Sequence, residues 1–271
     1  MEFEELKDLF EKKLHTKICL NQPYKLCDYK PYYGYLFSEY LTGYDFWGYC
    51  DCDLIFGNID AFLPEVLLRQ NDKLLRTGHL SFIRNTDEIN SNFLHYETYK
   101  MVISSPVIYG YDESINGYHQ GFAGELIDHG YKFYRNDEMV ADIDFRHLTF
   151  HIVSNPDNSC VLSYENGSVF KYSICNRELE KSEMAYVHLQ KRKMKVNDAI
   201  NENKYLIIPN EFINFNESLL DSQEFWDSVT SEESNYFDWK AERKNERRRT
   251  INRFWHEPNK LKSIMYRLKG N

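Results

Sequence analysis

The sequence predicts an α/β fold, and three observations carry that prediction. Apolar residues at Phe3, Leu6, Leu9, Phe10 and Leu14 recur at helical spacing, with Glu and Lys opposite. Short aromatic and β-branched runs bounded by Gly, Asn and Pro recur along the chain in the manner of strands. Between two such runs, Cys160–Tyr164 and Ser168–Ile174, sits Glu165-Asn166-Gly167, the strongest short hairpin signal present. A chain of 271 residues suits one α/β domain, or one domain with an appendage.

Taken in order, Phe3–Leu14 reads as an amphipathic helix and Lys17–Leu20 as a short strand. Pro23 suits the first turn of a second helix running to Leu41, with Pro31 kinking it. Within Tyr44–Ile59, the residues bounded by Gly43 and Gly57 read as a buried strand. Ala61–Arg69 follows as a helix, Lys73–Arg84 as a loop and strand, and Asn90–Lys100 as helical. Gln120–His129 is a helix ended by Gly130. Tyr131–Tyr134, Met139–Ile143, Ala185–Leu189 and Tyr205–Ile208 are short extended segments. After Asn214 the chain turns polar and helical, through Trp226, Trp239 and Trp255, until Pro258. The expected organisation is therefore a body over residues 1–214 and a basic helical extension over 215–271.

Aromatic residues make up 16% of the chain, which excludes a disordered protein. They suit both an ordinary core and a sugar-handling surface. A net charge of −9 argues against general nucleic-acid binding. From Lys240 onward, however, 11 Lys and Arg face 3 Glu, a net of +8, which leaves −17 for the residues before it. Ile251, Phe254 and Trp255 share one helical face there, and so do Leu261, Ile264, Met265 and Leu268. Such a basic amphipathic tail suits peripheral contact with an anionic membrane, or packing on the acidic body. Six scattered cysteines without a signal peptide read as reduced thiols of a cytoplasmic protein. No apolar run approaches the ~20 residues of a spanning helix.

The chemistry gathers at Asp51-Cys52-Asp53, inside the aromatic stretch Tyr44–Ile59. In an extended chain, alternate residues face the same side, so the two carboxylates are expected to converge. Buried charge of one sign needs compensation, and hard carboxylate oxygens suit Mg²⁺ or Mn²⁺. The bland reading is a strand end with two solvated acids, and a second such triplet, Asp142-Ile143-Asp144, shows how common the pattern is. The apolar lead-in favours a site.

Several stretches together resemble a family of bacterial polysaccharide glycosyltransferases of the GT-A type, found in capsule and surface-glycan clusters. They are Pro23-Tyr24-Lys25-Leu26-Cys27-Asp28-Tyr29-Lys30-Pro31, Tyr44-Asp45-Phe46-Trp47-Gly48, Asp51-Cys52-Asp53-Leu54-Ile55-Phe56-Gly57, Gly78-His79, Arg84-Asn85, Ala141-Asp142-Ile143 and Tyr186-Val187-His188-Leu189-Gln190-Lys191-Arg192-Lys193. They run in the family's order from about Phe3 to Lys193. The resemblance implies a GT-A-like mixed sheet flanked by helices. It implies transfer of a sugar from a nucleotide-sugar donor, UDP-linked, to a glycan or lipid-linked glycan acceptor at the inner face of the membrane. It implies Mn²⁺ or Mg²⁺ held by Asp51, Asp53 and His188, with Lys25, Asp28, Lys30, Asp51 and Lys191 on the nucleotide sugar. A cation beside a diphosphate leaving group offsets the charge that develops there. Family members begin with a strand-helix-strand unit, whereas this chain starts at Met1 with the helix, so the resemblance implies a fold lacking that unit.

Asp112 and Glu113, on a Gly-flanked loop, are the candidate bases for deprotonating an acceptor hydroxyl. Two other readings compete. One is a non-catalytic relative that binds glycan or acts as a scaffold. The other is a phosphohydrolase using Asp51, Asp53, Asp142 and Asp144 around two metal ions.

Overall fold

The computed structural model describes residues 1–113, 121–156, 159–190, 192–196 and 198–232. It is an α/β protein. In chain order its strands are β1 (Phe46–Cys50), β2 (Leu54–Phe56), β3 (Lys73–Leu74), β4 (Leu80–Arg84), β5 (Phe133–Tyr134) and β6 (Val140–Asp142). There follow β7 (Cys160–Glu165), β8 (Ser168–Cys175), β9 (Glu178–Met184), β10 (Tyr186–His188), β11 (Lys204–Ile208) and β12 (Glu211–Asn214). They form three sheets among the described residues. The chain divides into two compact units: Met1–Asp51 with Val66–Arg135, and Cys52–Glu65 with the described chain from Asn136 onward.

The first unit contains the sheet ordered β1-β4-β3-β5. β4 is antiparallel to both β1 and β3, and β3 is parallel to β5. The helix Phe3–Leu14 forms as its periodicity predicts. The Glu5 carboxylate accepts from the Glu2 N–H at 2.8 Å at its start, and His15, at φ 51°, ends it in the left-handed region. Its apolar face buries Phe10, which stacks on Tyr29 with ring centroids 5.6 Å apart. The core continues through Tyr32, Leu36, Trp47, Ile83, Phe93, Tyr111 and Phe122.

The predicted second helix takes another form. Pro23–Tyr32 is a 3-10 helix, Tyr33–Leu36 one α-helical turn, and Ser38–Tyr40 a 3-10 turn. Pro31 has no N–H to donate inside a continuous α-helix, which accounts for the break. Lys17–Leu20 belongs to no strand of the described residues, although the Cys19 N–H donates to the Ile103 carbonyl at 2.6 Å.

The single strand expected between Gly43 and Gly57 is also corrected. β1 ends at Cys50, the backbone bends at Cys52 and Asp53, and β2 pairs in a different sheet. Alternation along one strand therefore does not relate Asp51 to Asp53. Both flanking runs are apolar and aromatic, so composition alone makes the stretch look continuous.

The second unit contains two sheets. In the three-stranded one, central β10 is antiparallel to β2 and parallel to β6. The other is a five-stranded antiparallel sheet ordered β12-β11-β7-β8-β9. Asn166 and Gly167 take φ of 51° and 97°, the left-handed pair that a two-residue hairpin turn requires. One core joins Ala141, Ile143, Phe150, Leu162, Val187 and Ile207. Another packs Leu220, Trp226 and Val229 against Val161, Tyr172 and Leu206. The boundary expected after residue 214 thus falls inside this unit, because the helices Glu217–Leu220 and Gln223–Thr230 contribute to its core. The basic tail from Lys240 lies outside the described residues. Among those described, no helix is long and apolar enough to cross a membrane.

Candidate functional site

His188 closes β10, a strand buried at all three positions. Its register partners are Leu54 on β2 and Asp142 on β6. Parallel pairing with β6 sets Asp142 beside it, and the imidazole Nδ1 lies 2.8 Å from Asp142 Oδ1. The Gln190 side-chain amide donates to that same oxygen at 2.8 Å. On the other side of the ring, Nε2 lies 3.5 Å from Asp53 Oδ1. Asp53 stands just before β2, and its carbonyl accepts the Leu189 N–H at 3.0 Å.

The outcome is an imidazole between two carboxylates. The His188 side chain is only 7% exposed. Burial disfavours its charged form, but hydrogen bonds and charge from Asp142 and Asp53 outweigh burial and raise its pKa to about 9. Donation from Nδ1 to Asp142 directs Nε2 towards Asp53. A metal-ligating histidine is commonly oriented in this way, its second nitrogen held by a carboxylate. The donor set fits a divalent cation: Asp53 offers a hard oxygen and His188 Nε2 a borderline nitrogen. That mixture suits Mn²⁺ better than Mg²⁺.

The first unit holds a second charged cluster. Lys30 Nζ donates to Asp51 Oδ1 at 2.6 Å and to the Gly78 carbonyl at 2.8 Å, and it lies 3.3 Å from Asp112 Oδ2. The Asp51 N–H donates to the His79 carbonyl at 2.9 Å. Glu113 accepts the Gly78 N–H at 3.1 Å. Of the two candidate bases, Asp112 is buried and Glu113 exposed. Burial, against the opposing pull of Lys30, raises the Asp112 pKa to about 7.

Lys25 and Asp28 serve the interior. They form an ion pair at 2.7 Å, and both side chains are almost wholly buried. The Asp28 carboxylate accepts the N–H groups of Tyr109 and Tyr111 at 3.0 Å each, while Lys25 donates to the Val107 carbonyl at 2.5 Å. The pair therefore fixes the segment leading to Asp112. Lys191 lies outside the described residues.

Asp144 does not join Asp142 in a metal-ligand group among the described residues. Arg146 holds its carboxylate, with Nε 2.9 Å from both oxygens. The clustering of acids that the phosphohydrolase reading needs is absent from that pair. Sequence reasoning also passed over Asp142 and Gln190 as partners of His188. Their signal was the parallel pairing of two three-residue strands, too short for periodicity to announce.

Fold and centre together define an α/β protein with a carboxylate–histidine–carboxylate cluster at the end of a buried strand. The chain belongs to a family of unknown function, DUF6625, whose model matches residues 1–216. No curated protein and no solved structure matches it.

Proposed function

We propose that the protein is a metal-dependent glycosyltransferase. It would move a sugar from a UDP-sugar donor to a glycan or lipid-linked glycan acceptor in surface-polysaccharide synthesis. The observation that carries the reading is the Asp142–His188–Asp53 arrangement. A histidine oriented by one carboxylate, with its other nitrogen turned to a second, is suited to hold a divalent cation. Asp53 and His188 Nε2 are the proposed ligands, and water and diphosphate oxygens complete the shell, as is usual for such cations in nucleotide sites. When bound, the cation supplies positive charge against the leaving diphosphate.

The chain's own residues have separate tasks. Asp142 and Gln190 hold the His188 ring in place. Asp51, by the resemblance, serves the metal or the ribose, and Lys30 holds its carboxylate in place. Lys30, Lys191 and Asp51 remain the proposed donor contacts, whereas Lys25 and Asp28 act from the interior. Of the two candidate bases, the exposed Glu113 is assigned to the acceptor hydroxyl. Asp112 keeps Lys30 in position.

Thermal unfolding against a panel of nucleotide sugars, with Mn²⁺ or with EDTA, tests this reading. A UDP-sugar is expected to raise Tm in Mn²⁺ and not in EDTA. A panel without a Mn²⁺-dependent response would overturn it.

A further inference from the structure

The second unit brings together another set of metal-ligating side chains. His147, His151 and Glu232 each place one ligand atom within 4.8 Å of the others. The two imidazoles stack with centroids 4.1 Å apart, and His147 Nδ1 lies 3.7 Å from Glu232 Oε1. Both histidines lie between β6 and β7, spaced His-x-x-x-His, and Glu232 follows the helix Gln223–Thr230.

Support around the cluster sets it apart from a chance grouping of surface residues. His151 Nδ1 donates to the Pro156 carbonyl at 2.7 Å, which leaves Nε2 as the acceptor nitrogen; it accepts the Ser159 hydroxyl at 3.1 Å, a bond that a metal ion would replace. The Glu232 carboxylate accepts the Leu148 N–H at 3.1 Å and the Thr149 hydroxyl at 3.1 Å. The backbone beneath is pinned as well. Arg192 is 5% exposed and lies over the Phe150 ring. It donates to the His147 carbonyl at 2.8 Å and the Leu148 carbonyl at 2.7 Å. Two of the three ligand side chains are thus oriented by groups that are not ligands, the pattern expected around a metal.

We infer that His147, His151 and Glu232 form a binding site for a divalent transition metal of the zinc class. Two imidazole nitrogens and a carboxylate oxygen match that ion's preferences and not those of Mg²⁺. Donors on one tetrahedral ion sit about 3.4 Å apart, given metal–ligand bonds of about 2.1 Å. Shifts of about 1 Å in half-exposed side chains close the set. Three protein ligands leave a fourth position for water. The ion ties the segment after β6 to the chain beyond Thr230, and it stabilises the folded state by binding that state alone. The inference rests on none of the residues assigned to sugar transfer.

The test uses the full-length chain, free of affinity tag and stripped with EDTA. Zn²⁺ at low micromolar concentration is expected to raise Tm, and Mg²⁺ is not. Co²⁺ is expected to give the visible absorption of a four-coordinate ion. In an Asp53→Asn background, which disables the His188 centre, Zn²⁺ is still expected to bind, and Glu232→Gln or His151→Asn added to it should each weaken that binding by ten-fold or more. His147→Gln, at a half-exposed position, provides the same test if either variant folds poorly. No Zn²⁺ response in the wild type overturns the inference. So does a response lost in Asp53→Asn and kept in Glu232→Gln, which would place the ion at the His188 centre.

Discussion

His188 Nδ1 and Asp142 Oδ1 lie 2.8 Å apart across the parallel pair β10–β6, so that the carboxylate sets the direction of the ring. Removing that carboxylate leaves Asp53 in place but frees the imidazole to rotate. Asp142→Asn is expected to weaken Mn²⁺ binding by about 10–100-fold, the usual cost of losing such an orienting partner. Calorimetry with Mn²⁺ checks this. An unchanged affinity would show that Asp142 does not position the ring.

The same pair predicts a pH dependence in the metal-free protein. The His188 pKa is raised from 6.5 to about 9, so its contribution is fully present below about 6.5 and is lost as pH rises through about 9. Integrated, the shift amounts to about 3 kcal/mol at most. NMR titration of His188 should show a midpoint near 9, moved downward by Asp142→Asn. A midpoint at the ordinary histidine value would contradict the ring's placement between two carboxylates.

Asp112 predicts a slope of the same direction in a lower window. Its folded pKa is raised from 3.8 to about 7, so between those values the native state binds more protons than the unfolded chain. Stability from this group therefore falls as pH rises from about 4 to 7. Urea unfolding across that range should show the loss, and Asp112→Asn should flatten it. Equal slopes in the two proteins would contradict the buried placement of Asp112.

The aromatic core makes a prediction through Gly34. Trp47 Nε1 donates to Asn90 Oδ1 at 2.8 Å, and a Cβ on Gly34 would lie 2.5 Å from Trp47 Nε1. Neither partner is a flexible chain end, so the ring or the amide must move. Gly34→Ala is expected to destabilise the protein by about 1–3 kcal/mol in equilibrium unfolding. A neutral change would mean that the packing there is looser than described.

Much of this was legible in the sequence, for identifiable reasons. The helix Phe3–Leu14 and the Asn166-Gly167 hairpin were readable because periodicity and turn chemistry are local signals. Asp53 and His188 were singled out from motif residues, and the structure places them 3.5 Å apart. The break between β1 and β2 was hidden, since apolar residues flank it on both sides. β9 was missed because Glu178–Met184 is mostly charged and polar, and its face is largely exposed. The Arg192–His147–Glu232 neighbourhood was invisible because its members meet only through the fold.

The proposal of a metal-dependent nucleotide-sugar site is tested most directly by titrating UDP into the protein in Mn²⁺, wild type beside Asp53→Asn. The account predicts saturable binding by the wild type that disappears with EDTA, and a loss of ten-fold or more in Asp53→Asn, because an amide cannot supply the carboxylate's charge. Equal UDP affinity in the two proteins, or wild-type binding that ignores EDTA, would contradict it.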